Sequence, residues 1–188
     1  KGIFPWFSEG EPILWWSPDP RGVMYLDKFR RTRSLAKLIR KNPFEVTVNT
    51  CFDQIIERCA SIPRDDNGTW ITRTMISAYK RLHQQGHAHA IEVWYEGQLV
   101  GGLYGVNVGR VFCGESMFSE VSNASKVAYW YLVELLEEAG ADFIDCQMQN
   151  PHLASLGCEE VSRQKFSEML AESTLSSLPV SVWLPRKL

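Results

Sequence analysis

AIEVWYEGQLVGGLYGVNVGRVFCGESMF, residues 90–118, decides the fold. Glu96-Gly97 and the run 107–109 are turn signals, and they cut the stretch into runs rich in β-branched and aromatic residues. Such runs between turns read as strands, so 89–118 predicts a strand meander. Downstream, 123–139 is a strongly apolar helix stopped by Gly140, and FIDCQM (143–148) is a short strand. SRQKFSEML (162–170) reads as the last helix and VSVWLP (180–185) as the last strand. Upstream, 44–49 alternates like a strand, and Thr50 with Asp53 resembles a cap for a helix over 52–59. A polar loop follows at 64–68, then a helix over 72–85 ended by Gly86. The order predicts an α+β domain with a mostly antiparallel sheet.

The 188 residues are 45% hydrophobic and 22% charged, enough to bury a core without a disulfide or metal staple. That balance excludes disorder, collagen and coiled coil, and no run of eighteen apolar residues offers a membrane span. Net charge is only −2, but residues 1–91 carry 14 basic against 9 acidic groups and 92–188 carry 6 against 13. The split points to one polyanionic and one cationic partner. Five cysteines (51, 59, 113, 146, 158), odd in number and without CxxC, read as reduced thiols of a cytoplasmic protein. His83, His87, His89 and His152 form no HExxH and no ligand set with them, which argues against zinc. No signal peptide is visible, although the chain opens at Lys1 rather than at a methionine.

Residues 1–20 hold three of the seven tryptophans and four of the nine prolines, so they predict a rigid aromatic loop layer rather than a helix. Composition favours a lid whose tryptophans pack on the core over a stacking platform for a flat ligand. Residues 28–41 hold seven basic groups. Ser34 is a plausible cap there, with Leu35, Leu38 and Ile39 as the apolar stripe. Arg33, Lys37, Arg40 and Lys41 share the opposite face, and nothing acidic follows Asp27 in the segment. An unpaired cationic row at that spacing suits a phosphate backbone.

Glu115, in FCGESMF, places an acid at the end of an otherwise apolar strand. In FIDCQ, period-two geometry sends Asp145 and Gln147 to one face, with Ile144 and Cys146 on the other. Buried polar groups need partners and cluster at sites, though a satisfied core network gives the same pattern. Cys113 and Cys146 have no indicated base and read as small buried hydrophobes. The glycines of VGGLYG fall within strands, against a dinucleotide loop.

FPWFSEGEPILWWSPDPRGV, GTWITR, GHAHAIEVW, LVGGLYGV, FCGESMFS, NASKVA and IDCQMQNPHLASLG together resemble the leucyl/phenylalanyl-tRNA–protein transferase family, in order and over nearly the whole chain. The resemblance implies transfer of leucine, phenylalanine or, less well, methionine from aminoacyl-tRNA to an N-terminal arginine or lysine, creating an N-degron. It implies a fold similar to the GNAT acyltransferases over 44–188, preceded by a small aromatic and basic subdomain over 1–43. By motif it implies Asp145 and Gln147 as the catalytic pair, Glu115 as an acceptor-binding residue, and Trp6 and Trp70 around the terminal adenosine. Leu103, Phe112, Gly114, Tyr129, Leu132 and Ile144 would line the amino-acid pocket, and Arg33, Lys37, Arg40 and Lys41 would bind tRNA. No cofactor, metal or membrane is implied. The rivals are a CoA-dependent acetyltransferase, a peptidoglycan-type ligase and a non-catalytic RNA-binding module.

Overall fold

A computed structural model describes residues 2–8, 10–62 and 70–188. The expected loop over 64–68 lies outside them.

The meander forms as three long strands, β5 (Ala88–Tyr95), β6 (Gln98–Val108) and β7 (Val111–Ser119). They are the centre of an eight-stranded sheet. β4 (Glu45–Val48) and the short β10 (Arg186–Lys187) extend it beyond β5. On the other side stand β8 (Phe143–Gln147), β3 (Arg21–Tyr25) and β9 (Glu159–Val161). Every pairing is antiparallel except β7 with β8, so the chain is α+β with a mixed, mostly antiparallel sheet.

Alternation along β5 explains the layering. Ile91 and Val93 belong to the core under the apolar helix α4 (Ala124–Glu138), which also takes Leu132 and Leu136. Ala88 and Ala90 face the other way, toward α2 (Phe52–Ser61) and α3 (Arg73–Gln84), with Ile55, Ile56 and Tyr79. Both faces are therefore buried, which is why β5 reads as a nearly continuous apolar run. A smaller core holds α6 (Arg163–Ser173) against Val23, Val111 and Phe143.

Several local expectations give way to longer-range physics. Helix α1 (Arg33–Lys41) starts before Ser34: Thr32 is its cap, accepting from the Leu35 N–H at 3.3 Å. The start of α2 is capped not by a Thr50–Asp53 box but by the buried Glu92 of β5. Its carboxylate accepts from the backbone N–H groups of Thr50 (2.9 Å) and Cys51 (3.2 Å). The stretch over 180–185 is a 3-10 turn at Val180–Trp183, and only Arg186–Lys187 pairs as strand. Pro179 and Pro185 flank it, and a residue without an N–H cannot serve a ladder. Among the short elements without an expectation are β3, α5 (Pro151–Leu156) and β9.

Candidate active site

One cavity of about 440 Å³ opens beside the end of the β7–β8 pair. Its apolar wall is Leu103, Phe112, Leu132 and Ile144, all nearly fully buried, with Gly114 and Tyr129 completing the set named from sequence. Trp6, Trp70, Glu115 and Gln147 line it as well. Ten of the eleven cavity and catalytic residues named from sequence thus meet here, and Asp145 does not touch the space.

Two backbone irregularities aim the polar groups. Along β6–β7, Tyr104 pairs Ser116 and Gly105 pairs Gly114, so Glu115 is the extra residue of a β-bulge. Bulges bend a strand and re-aim one side chain. Gly105 permits the bend, because a Cβ there would stand 2.2 Å from the Cys113 carbonyl oxygen. Along β3–β8 the register shifts between Gly22 and Val23, and a Cβ on Gly22 would meet the Gln149 nitrogen at 2.9 Å.

At that shift Gln147 takes φ +61, in the left-handed region that costs a side-chain-bearing residue energy. This breaks the expected period of two. Asp145 points behind the cavity wall, while Gln147 turns into it and donates its Nε2 to Glu115 Oε2 at 3.2 Å. The twist is held by Asp145 Oδ1, which accepts the Gln147 backbone N–H at 2.9 Å.

Asp145 is in turn gripped by Arg21 of β3, a residue not singled out from sequence. Arg21 Nε donates to Oδ1 at 2.8 Å and its terminal nitrogen to Oδ2 at 2.7 Å, a bidentate fork with both side chains 2% exposed. The remaining terminal nitrogen donates to the Gly2 carbonyl at 3.0 Å, and the guanidinium stacks 4.3 Å from the Phe166 ring centre. RGVMY gave no hint of this, since a lone arginine opening an apolar strand is uninformative until its partner 124 residues on is known.

Burial pushes the Glu115 carboxyl up to about 7, opposed by hydrogen bonds from Tyr79 and Gln147. Burial also drives the Cys113 thiol well up, so it stays protonated. The Tyr129 hydroxyl is raised too, by burial and then by Cys146, whose sulfur lies 3.4 Å away. Both cysteines act as small packing groups, and among the described residues no cluster could hold a metal ion.

The tryptophans depart from the lid. Trp6, Trp15 and Trp16 are 41%, 60% and 45% exposed on a small hairpin of β1 (Phe4–Pro5) and β2 (Trp15–Trp16). With so few backbone bonds the hairpin carries aromatic surface outward instead of onto the core. Trp6 alone of the three reaches the cavity, its carbonyl accepting from Trp16 Nε1 at 2.8 Å. Arg33, Lys37, Arg40 and Lys41 are exposed on α1 and lie outside the cavity. They form none of the ion pairs among the described residues. Sequence reasoning missed Phe4, Met148, Asn150 and His152, which also line the space: Phe4 lies in β1, Met148 at the end of the expected strand over 143–148, and Asn150 and His152 at the start of the unanticipated α5.

Comparison with known proteins places the chain in a family. A family model described as "Leucyl/phenylalanyl-tRNA protein transferase" matches residues 23–171, and that of the N-terminal domain of the same transferase matches 1–19. A leucyl/phenylalanyl-tRNA–protein transferase of Pseudoalteromonas atlantica is 59% identical over the whole chain and 80% of its own length. Proteins of the same name from Nitrosospira multiformis and Shigella dysenteriae are 54% and 51% identical. They match 92% and 99% of the chain, over 74% and 79% of their own lengths. Among solved structures, L-PGS from Bacillus licheniformis aligns with 79% of the chain and 48% of its own at 11% identity. Its TM-score of 0.46 is too low to bear on fold or function. With both family models matched and identity above one half over nearly the whole chain, the chain belongs to the leucyl/phenylalanyl-tRNA–protein transferase family.

Proposed function

We propose that this chain is an aminoacyltransferase that moves leucine or phenylalanine, and less readily methionine, from aminoacyl-tRNA to the N-terminal arginine or lysine of a protein. Family membership supports the reaction class, and the cavity supports its chemistry. The single observation that carries the site is the turned Gln147, which brings an amide and a carboxylate together at the mouth of a closed apolar pocket. The aminoacyl ester is already activated, so catalysis is mainly alignment of an amine with a carbonyl carbon. The pocket of Leu103, Phe112, Gly114, Tyr129, Leu132 and Ile144 takes an apolar side chain without a branch at Cβ, and a polar one would leave its groups unpaired there.

Trp6 and Trp70 flank the terminal adenosine, Glu115 meets the acceptor, and Gln147 accepts a hydrogen bond from its amine. Asp145 serves as a positioning residue through the Gln147 backbone. The row Arg33, Lys37, Arg40 and Lys41 tracks tRNA phosphates, with 1–43 as the tRNA-facing part and 44–188 as a GNAT-like catalytic part. Strand β3 ties the two together within one sheet. The reaction belongs in the cytoplasm, where charged tRNA and thiol-reduced proteins meet.

The test is transfer of labelled leucine from leucyl-tRNA to two peptides, one led by arginine and one by glutamate. Label on the arginine peptide alone is expected. Equal labelling, or none while tRNA still binds, refutes the acceptor assignment or the activity respectively.

A further inference from the structure

The family resemblance implies Asp145 and Gln147 as the catalytic pair, but for the proton acceptor the geometry points to Glu115. Resting on the transferase reading above, we propose that the Glu115 carboxylate is the catalytic base that takes the proton of the attacking amine and returns it to the departing ribose oxygen. Among the described residues that line the cavity, Glu115 is the only carboxylate. Asp145 lies behind the wall with both oxygens held by Arg21 and Oδ1 further engaged by the Gln147 N–H. Its two oxygens are committed to these partners, and it does not line the cavity. Gln147 is a neutral amide with no basic site near neutral pH; its role is to orient Glu115 by donating to Oε2. His152, the other lining group that titrates near neutrality, has its Nε2 shut away from solvent without a partner, and burial followed by Lys126 pushes it down.

The bulge supplies the placement. As the unpaired residue between Gly114 and Ser116, Glu115 projects from the sheet instead of taking a ladder position. Tyr79 of α3 and Gln147 of β8 donate to it, Asp145 raises its proton affinity and Arg21 lowers it, while Cys113 stays a thiol. Burial outweighs these and brings the carboxyl to about 7, close to the α-amine reference of roughly 8. A base matched to its donor near working pH relays protons best.

The step balances without a co-reactant. The amine nitrogen attacks the ester carbonyl, the C–N bond forms, and the surplus proton passes to the Glu115 carboxylate. Collapse breaks the bond to the ribose oxygen, which takes that proton and leaves as a hydroxyl, restoring the carboxylate.

Single-turnover transfer of labelled leucine to an arginine-led peptide, in wild type, Glu115→Gln and Glu115→Asp, decides it. A base predicts that E115Q lowers the maximal rate at saturating acceptor by about 100-fold or more, with tRNA affinity near wild type and partial recovery in E115D. A residue that only holds the acceptor predicts raised KM with kcat kept, which overturns the proposal. An acceptor led by aza-arginine, whose semicarbazide nitrogen stays neutral, removes the amine's own titration. Wild type should then still gain rate as pH rises through about 7, and E115Q should be flat. A flat wild-type profile overturns the proposal too. A wild-type chain that labels no peptide overturns the transferase reading and the base together. Normal transfer by E115Q overturns the base alone.

Discussion

Arg21→Met is the sharpest structural test, because Arg21 connects the N-terminal strand to the site. Methionine keeps the apolar stem between the Phe4 and Phe166 rings and removes the fork that grips Asp145. The change leaves a carboxylate buried at 2% exposure with the Gln147 N–H and the Cys113 thiol as its neighbours but no counter-charge, and stranding one partner of such a pair costs about 3–5 kcal/mol. In a chain of this size that is a fall in Tm of roughly 6–20 °C. Urea unfolding and thermal melts should report it. Adding Asp145→Leu should recover much of the loss, since a buried pair replaced by apolar groups of similar volume is about neutral. Activity should stay lost in the double variant, because the Gln147 backbone has lost its anchor. Arg21→Lys should fail as well, lacking the planar fork. An Arg21→Met variant within about 1 kcal/mol of wild type would refute the reasoning. So would a double variant less stable than the single.

Three further expectations follow from the same contacts. Gly105→Ala should lower stability by about 2 kcal/mol and displace Glu115, because its Cβ would collide with the Cys113 oxygen and the Phe112 ring; an unchanged melt would contradict this. His89, stacked 4.3 Å from Trp183, is pushed down to about 4 by burial, so the folded state keeps it neutral while the unfolded chain protonates below about 6.5. Stability should fall as pH drops across that window and fall less in His89→Gln; equal slopes in urea midpoints would count against it. Arg33→Ala with Lys37→Ala should weaken tRNA binding and lower its salt slope by about 2, and an unaltered slope would return that face to bulk solvent.

How far the sequence carried depended on whether the signal was local. The meander, the apolar α4 and the stop at Gly86 rest on neighbours in the chain, and periodicity with turn chemistry exposes those. The pocket residues came from motif resemblance, and the cavity gathers all six of them. What stayed hidden was set by distant partners or by broken periods. Arg21 is decided by Asp145, and the cap of α2 by Glu92. Asp145 and Gln147 part company because Gly22 admits a register shift that a period of two cannot foresee. The turn at 180–183 was missed because valine-rich spacing outweighed the flanking prolines.

The most direct measurement of the central claim pairs single-turnover leucyl transfer to an arginine-led peptide with tRNA affinity, in wild type and Gln147→Ala. The variant keeps the backbone N–H that Asp145 holds and removes only the group turned into the cavity. The account predicts transfer by wild type, a loss of about 100-fold in the variant, and unchanged tRNA binding. Equal transfer rates would contradict it, because the reaction would then take place away from the site that Gln147 shapes.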